Sequence, residues 1–157
     1  MKKLLSLLLL LLLLVACSDS APSPVIEITG LYVNDDEIDY AQELSSMPKL
    51  KVNDEVLVSL KLDGSGEELN TFIVQDGNQQ LKIEEFILPE AGISDDKNFT
   101  KLDEGIVGFE NGVRQTELKV KAIVKAVNGE DATLIFYLFS RAECEADKQK
   151  VEMKTEN

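Results

Sequence analysis

Residues 118–140, LKVKAIVKAVNGEDATLIFYLFS, hold two runs of strand-forming residues around an Asn-Gly pair. In the first run Leu118, Val120, Ala122, Val124 and Ala126 fall on one side. Lys119, Lys121 and Lys125 fall on the other. A period of two is the signature of a half-buried strand, because successive side chains point to opposite faces. Asn128-Gly129 accommodates positive φ, and Ala132 to Ser140 (ATLIFYLFS) follows. An Asn-Gly turn between two such runs predicts a β-hairpin. The lysine stripe is the wet face of a half-buried sheet, a guard of an edge strand against pairing, or a surface for an acidic partner.

The same reading extends outward. Val25 to Val33 (VIEITGLYV) is rich in β-branched residues and predicts the first strand. In Glu55 to Leu62, Val56, Val58, Leu60 and Leu62 share a face. Asp63-Gly64-Ser65-Gly66 ends that run. Leu69 to Gln75 is the next, closed by Asp76-Gly77, and Gln80 to Leu88 precedes Pro89. Residues 90–110 predict at most short strands, near Ile93 and Ile106-Val107. Asp35-Asp36-Glu37 predicts a short helix over 36–46 that carries Ile38, Ala41 and Leu44. About seven strands without a βαβ unit predict an all-β, immunoglobulin-like antiparallel sandwich over 25–146. The polar residues 147–157 read as a fraying C-terminal tail. No Trp and no cysteine pair marks the sandwich core, so strand spacing and turns alone carry the prediction.

The N-terminus reads differently. Lys2 and Lys3 precede an apolar run, Leu4 to Val15, broken only by Ser6. That run is shorter than the ~20 residues a membrane-spanning helix needs and fits the core of an export signal. Leu14-Val15-Ala16-Cys17 resembles the lipobox of bacterial lipoproteins. The resemblance implies a signal peptide over 1–16, cleavage between Ala16 and Cys17, and lipidation of Cys17. Residues 17–24 then form the lipidated cysteine and a small, polar, proline-containing tether. Ser18 stands where enteric lipoproteins retained at the inner membrane carry Asp, which favours the outer membrane. Asp19-Ser20-Ala21 resembles the O-glycosylation motif of the Bacteroidota, with Ser20 as acceptor. The alternative is a plain linker.

Charge narrows the partners. The chain has 16 basic and 29 acidic residues. Loss of residues 1–16 removes two lysines and no acid, leaving a net charge of −15. Such a surface repels phosphate backbones, so nucleic acid is not an expected partner. It also repels anionic lipid, so attachment to the membrane falls to the acyl anchor. With Cys17 lipidated, Cys144 has no disulfide partner in the chain. It is either a buried thiol or a site of intermolecular pairing.

The chemistry available is limited. The chain has no histidine, which removes Ser-His-Asp and Cys-His hydrolysis and His-ligated metal sites. No phosphate-cradling glycine motif occurs. The expectation is a non-enzymatic domain with no cofactor. Asp35, Asp36, Glu37 and Asp39 cluster after the first strand and are candidate calcium ligands, the alternative being solvated acidic turns. Asp95, Asp96, Asp103 and Glu104 form a second cluster. Asp63, Glu67 and Glu68 form a third. Sugar stacking would fall to Tyr32 and Tyr40, since Tyr137 lies in an apolar run and is expected in the core.

Taken together, the chain is similar to the small immunoglobulin-like lipoproteins of gut Bacteroidota. Leu14 to Cys17 carries the lipoprotein part of that resemblance. Pro24-Val25-Ile26 and Val52-Asn53-Asp54-Glu55-Val56 carry the sandwich part. It implies an envelope location and supplies no functional residues. The expected partners are the membrane, through the anchor, and a protein or other envelope component. A glycan- or calcium-binding surface module is the alternative.

Overall fold

The computed structural model describes residues 21–142 and 144–156. Cys17, Ala16 and Ser20 therefore lie outside the described residues. Eight strands form: β1 (Val25–Val33), β2 (Glu55–Asp63), β3 (Leu69–Asp76), β4 (Leu81–Ile87), β5 (Ile106–Gly108), β6 (Gln115–Val124), β7 (Ala132–Ser140) and β8 (Asp147–Met153). They build two four-stranded sheets of order β1-β2-β6-β4 and β5-β3-β7-β8. Every pairing between strands is antiparallel. With β1, β2, β6 and β4 as strands A, B, E and D, and β3, β7 and β8 as C, F and G, this is the immunoglobulin strand order. The short β5 is an added edge beside β3.

The period-two residues supply the core. Val56, Val58, Leu60 and Leu62 of β2 and Leu118, Val120, Ala122 and Val124 of β6 are buried, as their spacing predicts. From the facing sheet come Phe72, Val74, Leu134, Phe136 and Leu138. The Phe72 and Phe136 rings stack with centroids 6.0 Å apart. Burying each of these side chains fully contributes about 1.5–3 kcal/mol, which is what two sheets gain by closing on each other.

Three expectations are corrected. The first is the hairpin at Asn128-Gly129. Both residues do turn the chain: Gly129 has φ +82°, and the Asn128 side chain accepts a hydrogen bond from Glu130 N at 3.0 Å. Yet β6 and β7 lie in different sheets. The connection crosses the sandwich because Gln80 holds it. The Gln80 carbonyl accepts Lys125 N at 2.9 Å and Ala126 N at 3.3 Å, which lifts the chain off the sheet before Ala126. The buried Gln80 side chain donates to the Glu130 carbonyl at 3.1 Å and accepts from Asn128 N at 3.2 Å. Gln80→Ala removes both side-chain bonds, worth about 0.5–1.5 kcal/mol each, and is expected to cost about 1–3 kcal/mol in chemical denaturation. A cost near zero would show that the crossing is held by other contacts.

The second correction concerns residues 36–46, which form turns and one 3-10 turn (Leu44–Ser46) rather than a helix. Asp36 and Asp39 capture local backbone N–H groups, of Ile38 at 3.3 Å and of Ala41 at 2.9 Å. This is the competition by which short acidic side chains displace helix. Ile38 and Leu44 are left exposed, and Tyr40 is the residue that docks.

The third concerns residues 147–157. Instead of fraying, they form β8, with Val151, Met153 and Thr155 buried. Beyond it, Leu50 pairs with Thr155. The strand reads as polar because it sits at a sheet edge, where only Val151 and Met153 must face the core. Pro24, expected in the tether, is already buried beside β1.

Candidate functional site

The outer faces of the two sheets differ in chemistry. On the β1-β2-β6-β4 face, the register lines up Tyr32, Leu57, Lys121 and Glu85 across four strands. The next row runs Gly30, Ser59, Lys119 and Ile87. A bulge between Ile28 and Gly30 marks this point on β1. A Cβ at Gly30 would lie 2.7 Å from the Tyr32 ring, so the absence of a side chain lets the ring lie across the strand. Around these rows is a groove of about 420 Å³, bordered at one end by Asn34, Asp35 and Asp36.

Residues far apart in the sequence thus meet. Asp35 and Asp36 from the acidic cluster, Tyr32 from the aromatic set, and Lys119 and Lys121 from the stripe line one groove. Lys125 does not join them and pairs with Asp76 at 3.6 Å. Glu37 lies outside the groove. Asp39 turns inward to accept Leu31 N at 2.9 Å. The acidic cluster therefore does not surround one point. Among the described residues no three Asp, Glu, Cys or His side chains are placed to hold a metal ion. The other two clusters also serve their own loops: Asp96 accepts from Asn98 N, and Asp63 from Ser65 N.

Charge in the groove is paired across strands. Lys121 Nζ lies 2.5 Å from Glu55 Oε2. The Glu55 carboxylate, with Asp35 and Glu85 nearby, holds this ammonium above the usual lysine range. Next to the groove, burial and the Asp36 carboxylate hold the Tyr40 phenol above its usual range. For both groups the folded pKa exceeds the unfolded one. Their stabilisation is therefore complete below the ordinary values of 10.0 and 10.5 and is lost as pH rises through the higher folded values. The melting temperature is expected to fall as pH rises past the ordinary values of 10.0 and 10.5, and to fall less steeply in Glu55→Gln. An unchanged alkaline profile in that variant would mean the pair contributes nothing.

The outer face of β5-β3-β7-β8 has an apolar centre, flanked by the charged outward row Lys148, Lys150 and Glu152 of β8. Along β7, Leu134, Phe136 and Leu138 are buried, while Ile135, Tyr137 and Phe139 point outward. Tyr137, expected in the core, is therefore a surface residue, and Lys148 Nζ sits 5.4 Å from its ring centre. In register beside these lie Ile73 and Thr71 of β3, and Ile106 of β5 pairs with Ile73. Phe99 packs where a side chain at Gly108 would stand, 2.4 Å from that Cβ position. Phe139 remains 37% exposed. A strand apolar on both faces is the pattern of one covered on both sides. The signal was present in ATLIFYLFS, where the outward Ile, Tyr and Phe contrast with Lys119 and Lys121 at the outward positions of β6.

Cys144, the free thiol, is half-buried, with its sulfur 3.1 Å from Ser140 Oγ.

Comparison with known proteins gives a family and similar solved structures. No curated protein matches the chain. Among solved structures, one described as "BspA_C_WT" is similar at 14% identity and a TM-score of 0.48, over 84% of this chain and 50% of that one. The chain spans half the length of that structure. Two fragments of the human F-spondin reeler domain are similar at TM-scores of 0.42. The first has 11% identity over 86% of this chain and 91% of its own. The second has 13% over 91% and 97%. A family model matches residues 17–155, a span that includes all eight strands, and the chain belongs to that family, the domain of unknown function DUF5035.

Proposed function

We propose that this protein is an acyl-anchored lipoprotein of the cell envelope, held in the outer membrane through Cys17. Its β-sandwich is a non-enzymatic binding or assembly domain. The observation that carries the binding role is the apolar centre of the β5-β3-β7-β8 outer face, where half-buried Ile73, Ile135 and Tyr137 lie beside the exposed Phe139. Contiguous apolar surface of this kind marks sites where proteins meet. The anchor is supported by the order of charged segment, apolar run and lipobox in residues 1–17. The family match begins at Cys17, where the lipobox would start the mature chain.

The test is chemical cross-linking in intact cells, with and without Phe139→Glu. The expected result is a discrete cross-linked species that the substitution removes. Cross-linking that yields no discrete species, or one indifferent to Phe139→Glu, would count against a binding role for this face.

A second reading attaches to the first sheet. The groove over Tyr32 and Leu57, with Asp35, Asp36, Lys119 and Lys121 at hand, suits a saccharide that stacks on the ring and bonds to the charged groups. A calcium-dependent mode would draw on Asp35 and Asp36. Titration with envelope polysaccharide fragments, with and without calcium, is expected to raise the melting temperature. The same titration of Tyr32→Ala should give no rise, and a rise of equal size would place the ligand elsewhere.

A further inference from the structure

Two hollows on the β1-β2-β6-β4 face meet at one lysine. The groove of about 420 Å³ over Tyr32 and Leu57 has a neighbour of about 170 Å³, bordered by Thr29, Ser59, Pro89 and Glu117. Ile87 and Lys119 line both. The register explains the junction. Gly30, Ser59, Lys119 and Ile87 form one row across the four strands, and Gly30 and Ser59 fill little of it. Longer side chains stand on either side: Tyr32, Leu57 and Lys121 in one row, Glu27, Lys61 and Glu117 in the other. The row is a channel across the strands. The larger hollow falls within the ~300–1,000 Å³ of pockets that hold small ligands.

Lys119 is the charge that this channel leaves unanswered. It is exposed, and its partners in register, Ser59 and Ile87, are uncharged. Among the described residues it makes no ion pair, whereas Lys121 is held by Glu55 at 2.5 Å. In the row beyond, Glu27, Lys61 and Glu117 alternate in sign. An ammonium offers three donors and no acceptor, so its complement is an anion. Glu85, diagonal to Lys119, and Glu117, two residues along β6, limit the charge of that anion. A single carboxylate is balanced there and a doubly charged phosphate is not. The acidity of the rest of the chain is screened beyond about 8 Å at physiological salt.

Gly30 answers to the ring, not to the backbone. Its φ lies outside the left-handed region, so a side chain could stand there without backbone strain. Glycine within a strand weakens it and marks a place where something approaches closely. Here that is Tyr32: a Cβ would lie 2.7 Å from Cε2 and 2.9 Å from the phenol oxygen. The missing side chain holds the ring at the groove, about 10 Å, two strand spacings, from Lys119.

We propose that the groove takes an acidic oligosaccharide, with one sugar ring on Tyr32, a uronate carboxylate on Lys119 and the chain continuing into the second hollow. Gly30 is the positioning residue for the ring. Asp35 and Asp36, at the far end, accept sugar hydroxyls. This rests on the saccharide reading of the groove given above.

The test is calorimetric titration of the full-length protein with tetrasaccharides of galacturonate, glucuronate and mannuronate. Each is compared with its carboxyl-reduced counterpart, which keeps linkage and length and loses the charge. At least one acidic form is expected to bind about tenfold more tightly than its reduced form, as a charge-assisted hydrogen bond provides. Lys119→Met should erase that preference and leave binding of the reduced form unchanged. Gly30→Ala and Tyr32→Ala should weaken both forms alike. Unchanged thermal unfolding of Lys119→Met and Gly30→Ala without ligand would show that the fold is intact.

Equal affinity for acidic and reduced forms, or a preference that survives Lys119→Met, would overturn the inference and leave the saccharide reading standing. Binding indifferent to both Gly30→Ala and Tyr32→Ala would place the sugar elsewhere and overturn it too. Binding of neither form in any pair would overturn the saccharide reading, and the inference with it.

Discussion

Phe136→Ala is expected to destabilise the domain by about 3–5 kcal/mol, as large-to-small changes at buried aromatic positions do. Phe136 is wholly buried, on a strand paired on both sides, and its ring stacks on Phe72 at an interplanar angle of 18°. Removing it forfeits the burial of the ring and leaves a cavity between two hydrogen-bonded sheets that cannot collapse to fill it. Small domains have only about 5–15 kcal/mol in total, so the variant should melt far below the parent. Urea unfolding with an unchanged slope checks this. Phe139→Ala, three residues on and facing out, should cost within about 0.5 kcal/mol, as exposed substitutions do. Equal costs at the two positions would contradict the sidedness assigned to β7, and with it the apolar outer face.

Cys17→Ala is expected to move the protein from the membrane fraction to the soluble one. Each buried CH₂ of an acyl chain contributes about 0.8 kcal/mol, so two or three chains hold a small domain firmly, whereas one holds it only marginally. Among the described residues no helix is long and apolar enough to cross a membrane. The chain's acidic charge also opposes anionic lipid. Fractionation under high salt is the measurement, because it strips electrostatic attachment and leaves acyl anchoring. A variant still in the pellet after that wash would refute lipidation at Cys17.

Much of the fold was legible because burial leaves a local trace. In β2 and β6 one face is dry and the other wet, so the chain alternates, and the inward residues could be named from the sequence. β7 was legible as a strand but not in its faces, because Ile135, Tyr137 and Phe139 are as apolar as the residues inside. β8 was illegible because an edge strand needs few apolar residues, and its polar positions look like tail. The acidic run at 35–39 carried composition without geometry. Asp39 turned to its own backbone, while Asp35 and Asp36 reached the groove.

By itself, the sequence determined the all-β class, most strand positions, the inward residues of β2 and β6, the acidity and the N-terminal lipobox pattern. These are local properties, set by the alternation of side chains along a strand and by the order of a few neighbouring residues. Only the tertiary structure decided which sheet each strand joins, that the Asn128-Gly129 turn crosses between sheets, and that Lys119 and Lys121 meet Tyr32 and Asp35. It also decided that one sheet turns an apolar face outward. Those are relations between segments dozens of residues apart. Strand propensity is the same whichever partner a strand finds, so the choice falls to packing and to contacts such as those of Gln80 that close the connections.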